Sequence, residues 1–140
     1  MDIIVKRLAV KDNLLDVQKL FLQLTRNCVT KDYLRQCVYD DHCICFVVKD
    51  SGKIISFCAL TVRLVPSQGS VGTIEDVIVD KSYLRQGIGS AMIDYLISEA
   101  KKLKLCRLEL TSNSARKAAI QLYQQKGFEK NDTNVFKMML

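Results

Sequence analysis

Tryptophan is absent from this chain, proline and histidine occur once each (Pro66 and His42), and no two of its six cysteines form a CxxC pair. Without such pairs or a secretory leader, a disulfide framework is not expected, and the cysteines read as reduced thiols behaving as small hydrophobes. The one cluster with metal-ligand character is "HCIC", which joins His42, Cys43 and Cys45. No fourth ligand accompanies it, so no metal is expected. Long hydrophobic runs are missing too. The longest, "CICFVV" at 43–48, is far too short to cross a bilayer. The opening "MDIIVKRLAVKD" lacks the charged start, apolar middle and cleavage site of a signal peptide. A cytoplasmic protein with no membrane partner is the expectation. The net charge of +6 comes from basic residues spread along the chain, with no nucleic-acid module and no aromatic–basic interleaving. Diffuse positive charge suits an acidic small molecule better than a nucleic acid.

What is present is an ordinary globular composition, 49% hydrophobic and 26% charged over 140 residues, the length of one domain with a proper core. "DIIVKRLA" reads as an edge strand. Asp12 is placed to cap a helix whose stripe is Leu14, Val17, Leu20, Phe21 and Leu24. A second short helix is "KDYLRQCVY". Two strands follow within 43–65, turning at 50–53 with Gly52 in the left-handed position. The loop "PSQGSVG" leads to the strand "TIEDVIVD". Ile88, Met92, Leu96, Ala100 and Leu103 mark a helix over 88–104. "CRLEL" is a strand, "ARKAAIQLYQQKG" a helix stopped by Gly127, and "NVFKMML" a final strand. The order βααβββαβαβ describes a mixed α/β domain.

Between the strand at 73–80 and the helix at 88 lies "KSYLRQGIG". Gly87 and Gly89 either shape a strand-to-helix turn or let backbone N–H groups approach an anion at a helix start. A Walker loop is ruled out because no GxxxxGK[ST] occurs, and a Rossmann fingerprint because Met92 occupies the third glycine position. With the helix "RKAAIQLYQQKGF" at 116–128, this arrangement resembles the GNAT superfamily of acyl-CoA-dependent N-acyltransferases over essentially the whole chain. Leu84 falls where that family has Arg or Gln, with Arg85 and Gln86 beside it.

The resemblance implies one N-acetyltransferase domain over 1–140. Its sheet would be mixed and mostly antiparallel, with helices on both faces and a splay between strands 73–80 and 106–111. It also implies acetyl-CoA as co-substrate. The pantetheine arm would lie along Val77, Ile78 and Val79, and the pyrophosphate against Arg85, Gln86, Gly87, Ile88, Gly89 and Ser90. Asn113 and Arg116 are further coenzyme candidates, or else a helix cap and a surface cation. Tyr123 is the candidate acid toward the CoA thiolate, or a core aromatic. Glu75 is the candidate base, and Glu75 with Asp76 the candidate acceptor site, or a solvated acidic pair. Strand alternation sends those two carboxylates to opposite faces. The acceptor is expected to be a small-molecule amine. "GTIEDVIVD" and "LFLQLT" are similar to glucosamine-6-phosphate N-acetyltransferases, which points to an amino-sugar phosphate. The terminal "NVFKMML" strand could support a homodimer.

Overall fold

The computed structural model describes residues 1–140. Five strands form one sheet in the order β1 (Val5–Arg7), β2 (Cys43–Asp50), β3 (Lys53–Val65), β4 (Gly69–Val79) and β5 (Arg107–Leu110). The first four pair antiparallel; β4 and β5 run parallel. That parallel pair needs a crossover, and α3 (Ile88–Lys102) supplies it. Two apolar cores result. Leu14, Val17, Leu20 and Phe21 of α1 (Leu14–Leu24) and Leu34 of α2 (Lys31–Tyr39) pack on one face with Val47, Phe57 and Ile78. On the other, Ile88, Met92, Ile93 and Leu96 of α3 and Tyr123 of α4 (Lys117–Gln125) meet Phe46, Leu60 and Ile74.

Local chemistry sets the element ends. Asn13, not Asp12, caps α1: its side chain accepts from the Leu15 N–H, while Asp12 accepts from Ala9 and Lys49. Thr30 caps α2 through the Tyr33 N–H. The β2–β3 hairpin turns on Ser51 and Gly52, both with positive φ. Gly72 sits inside β4 for a packing reason, since a Cβ there would lie 2.6 Å from Leu105 Cδ1 and 3.0 Å from Leu60 Cδ1. The helix α3 stops at Lys102, with Lys104 in the left-handed region, so Leu103 lies beyond it and is exposed.

One expected strand is not formed. Residues 134–140 pair with nothing, and Val135, Phe136, Met138, Met139 and Leu140 are each at least 80% exposed. The outer edge of β5 is only four residues long and offers a short ladder to any strand that follows. The order is therefore βααβββαβα. No helix is long and apolar enough to cross a membrane, and all six cysteines are free thiols.

Candidate active site

The site begins where the sheet opens. β4 and β5 pair from Val71–Arg107 to Ile74–Leu110, and β4 then runs on to Val79 with β3 alone beside it. The Asp80 N–H donates to the Ile55 carbonyl. Alternation back from Asp80 turns the N–H and C=O groups of Val77 and Val79 to the open side, away from β3. β5 ends at Leu110 with every residue paired, so β4 outruns it and keeps a free hydrogen-bonding edge beyond Ile74.

A β-bulge sits at the same point. Phe57 pairs with Ile78 but Ala59 with Glu75, so Asp76 and Val77 together oppose Cys58. Asp76 has φ +52°, and the extra residue breaks the two-residue period. Ile74 and Val77, three apart, consequently pack against the same core, while Ile78 joins the other. The bulge also corrects the expectation that Glu75 and Asp76 diverge: both line one cleft.

Beyond β4 the chain makes a short 3-10 turn over Lys81–Tyr83. This loop is tied at both flanks. The Lys81 N–H donates to Gln23 Oε1 of α1, and Tyr83 Oη donates to Asp50 Oδ2 at 2.7 Å. Arg85 and Gly87 then take positive φ, and Gly87 (φ +82°, ψ 8°) stands at the N-cap of α3 without a side-chain cap. The first backbone bond of the helix is Ala91 N–H to the Gly87 carbonyl. Amide N–H groups from Arg85 to Ser90 thus find no acceptor in the protein and gather at the positive end of a 15-residue helix. A Cβ on Gly89 would meet only Val79 Cγ2, at 3.8 Å, so the protein's own packing does not require glycine there. Free donors, positive φ and a side-chain-free surface fit a pyrophosphate group.

Between loop and sheet opening lies a cleft of about 190 Å³ lined by Leu24, Ile74, Glu75, Asp76, Val77, Leu110, Thr111, Arg116 and Tyr123. It runs through the gap in the sheet, with Leu24 of α1 on one side and Tyr123 of α4 on the other. Glu75 and Asp76 are both exposed at the cleft, where partial desolvation raises each pKa, and the neighbouring Asp76 charge adds to the rise at Glu75. Tyr123 is 8% exposed and meets Phe128 edge-on at 6.2 Å. Burial pushes its phenol up, against the opposing effect of Arg116. A phenol so held stays protonated at neutral pH.

The structure therefore brings Glu75, Asp76, Val77, Arg116 and Tyr123 together, with the loop from Arg85 to Ser90 at the end of the open strand. Ile78 faces the α1 and α2 core, where its carbonyl accepts from Ser56 Oγ at 2.8 Å. Asn113 accepts from the Ala115 N–H through Oδ1 and from the Arg116 N–H through its carbonyl, which shapes the turn into α4. Sequence reasoning missed Leu24, Leu110 and Thr111, which only the packing of α1 and the strand order bring to the cleft. It also missed Ser112, whose buried Oγ has no hydrogen-bond partner, immediately after Thr111.

Comparisons with known proteins identify a family and a fold. The model of the acetyltransferase (GNAT) family matches residues 12–128. A ribosomal protein bS18-alanine N-acetyltransferase of Escherichia coli is 34% identical over 83 residues, 59% of this chain and 53% of that protein. The chain thus spans about half the length of the curated relatives it first matches. An aminoglycoside acetyltransferase from an uncultured soil sample superposes with a TM-score of 0.86 at 18% identity, covering 99% of this chain and 96% of that one. Glucosamine-6-phosphate N-acetyltransferase from Arabidopsis thaliana gives 0.81 at 20% identity, covering 99% of each. Identities this low speak for the fold alone.

Proposed function

The chain belongs to the acetyltransferase (GNAT) family, and from that premise we propose that residues 1–140 form one N-acetyltransferase domain acting on a primary amine. The observation that carries the reading is the single cleft joining Glu75, Asp76 and Tyr123 at the point where β4 passes the end of β5. Acetyl-CoA supplies an activated acetyl thioester. The free edge at Val77 and Val79 is suited to an extended amide chain, and the open amides from Arg85 to Ser90 to its phosphates. Arg116 is a further cation for the coenzyme, and Asn113 sets its place by shaping the turn before α4.

An amine of pKa roughly 10 is protonated at neutral pH and must lose a proton before it can attack. Glu75 receives that proton, directly or through water, and its raised pKa makes its carboxylate a better base than a fully solvated one. Asp76 holds the ammonium form on arrival. The Tyr123 hydroxyl gives its proton to the departing CoA thiolate, completing direct transfer in a ternary complex.

For the acceptor we favour an amino-sugar phosphate such as glucosamine 6-phosphate, supported by two carboxylates for the amine within a chain of +6 net charge. The likeness to a bS18-alanine acetyltransferase favours a second reading, the N-terminal amine of a protein. A third role on the same fold is a non-catalytic acyl-CoA-binding module. Free thiols throughout support a reducing, cytoplasmic setting. The unpaired apolar segment 134–140 supports a homodimer, to be measured by sedimentation.

The test is acetylation of a panel containing glucosamine 6-phosphate, glucosamine, spermidine and an alanine-terminated peptide, read by CoA release and product mass. Glucosamine 6-phosphate is expected to be fastest. A faster peptide or spermidine would reassign the acceptor. No turnover alongside tight acetyl-CoA binding would leave the binding module.

A further inference from the structure

On the α1 and α2 face of the sheet, the helices cover Ala59 and Phe57 but leave the far ends of β3, β4 and β5 uncovered. There Arg63 reaches across β4, donating to Thr73 Oγ1 at 2.8 Å and to Glu109 Oε2 of β5 at 3.2 Å. Arg107 also donates to Glu109. Register sets Val71 between Arg63 and Arg107, and that valine is fully buried although it belongs to neither apolar core. The arginine stems are its neighbours on that face, and their guanidinium groups stay wet, with Arg63 50% and Arg107 44% exposed. Two guanidinium groups share one carboxylate, which leaves one positive charge unmatched.

That surplus has a definite position relative to the cleft. Glu75 pairs with Ala59 and Thr73 with Thr61, so Thr73 and Glu75 point to the same face two residues apart, about 7 Å along an antiparallel strand. The guanidinium held on Thr73 and the Glu75 carboxylate thus lie on one face, with Thr73 and Glu75 roughly one sugar ring apart along β4. Nothing in the fold alone demands this, because the ladder between β3, β4 and β5 is complete without those side chains.

We propose that Arg63, positioned by Thr73 and Glu109 and assisted by Arg107, is the anion-reading subsite of the acceptor, selecting an amine that carries a phosphate on the far side of one ring from its nitrogen. This rests on the transferase reading above and deepens it. Arg63 Nη groups hydrogen-bond the phosphate oxygens, giving up part of their hold on Glu109, while Glu75 and Asp76 receive the amine. A compact fork matches a phosphate better than a lysine does, and its hydrogen bonds are charge-assisted on both sides.

Arg63→Gln tests this in the full chain. Removal of charged hydrogen bonds should lower kcat/KM for glucosamine 6-phosphate about 10- to 100-fold. The rate on glucosamine, which has no phosphate, should stay within about twofold. A merely structural role for Arg63 would depress both sugars alike and lower the melting temperature, and that result overturns the proposal. So does an unchanged preference. Glucose 6-phosphate, which has no amine to acetylate, separates this inference from the transferase reading. Calorimetric binding of that sugar to the CoA-loaded wild type, lost in Arg63→Gln, upholds the subsite even if no amine is turned over. Absence of that binding in the wild type refutes the subsite whatever amines are acetylated.

Discussion

Gly87 tests the anion cradle more sharply than any other position. Its φ of +82° lies where an L side chain costs about 1–2 kcal/mol, yet a Cβ there would meet only Ile3 Cδ1, at 4.0 Å. The fold has room for a side chain; the backbone angle and the bound anion do not. A melting temperature in a chain this size moves roughly 3–4 °C per kcal/mol. Gly87→Val should therefore melt roughly 3–8 °C lower without ligand. Asn tolerates the left-handed region, so Gly87→Asn should stay close to the wild type. With ligand the order changes. Acetyl-CoA at a hundredfold excess over its dissociation constant adds about 2.7 kcal/mol to a native state that alone binds it, roughly 8–11 °C by the same conversion. The wild type should show that shift in a thermal melt, Gly87→Val none of it, and Gly87→Asn a small part. Because Gly87→Asn keeps its fold, its lost shift reports the approach of the ligand and not damage to α3. A full shift in both variants would refute the claim that the amides from Arg85 to Ser90 hold the phosphates.

Tyr123→Phe removes only the hydroxyl, so turnover should fall about 10- to 1,000-fold with acetyl-CoA binding nearly unchanged; stopped-flow and calorimetry together check both halves. Asp76→Asn exploits a raised carboxyl pKa. Partial desolvation favours the protonated form in the folded state, so this group's contribution to stability falls as pH rises from its ordinary 3.8 through the raised folded value. The variant should melt higher than the wild type at pH 7, and lose that advantage when the pH is taken below 3.8, which melts across pH will show. Gly72→Ala would place a Cβ against Leu105, Leu60 and Leu108; overpacking of this kind costs about 1–3 kcal/mol in a denaturation curve.

Much of the fold was legible because its signals are local. The helix α2 runs over Lys31–Tyr39 as expected, with Thr30 as its cap, and Gly127, with φ +101°, lies just past the end of α4 as expected. The open strand and glycine loop were readable because both are continuous in sequence. Asp12 and Asn13 carry side chains that can each cap α1, and the Asp12–Lys49 ion pair leaves the cap to Asn13. The bulge at Asp76 escaped for a different reason. Period-two reasoning assumes one residue per partner, and nothing in "IEDVIV" announces the extra one. Arg63 and Glu109, 46 residues apart, meet only through the strand order, and Leu24 reaches the cleft only through helix packing. The failed strand at 134–140 has a strong apolar pattern, which reports a wish for burial and not the presence of a partner.

The loop from Lys81 to Ser90 is pinned at Gln23 and Asp50 while its amides beyond Arg85 remain unbonded. Order and hydrogen-exchange protection, which usually rise together, are separated here. In the free protein the six amide hydrogens from Arg85 to Ser90 should exchange nearly as fast as those of an unstructured peptide, although their backbone is already in place. Little conformational entropy then remains to be lost when an anion docks, so association should be governed by encounter and not by loop ordering. Slowed exchange confined to this short segment would mark the ligand's arrival without any change of shape.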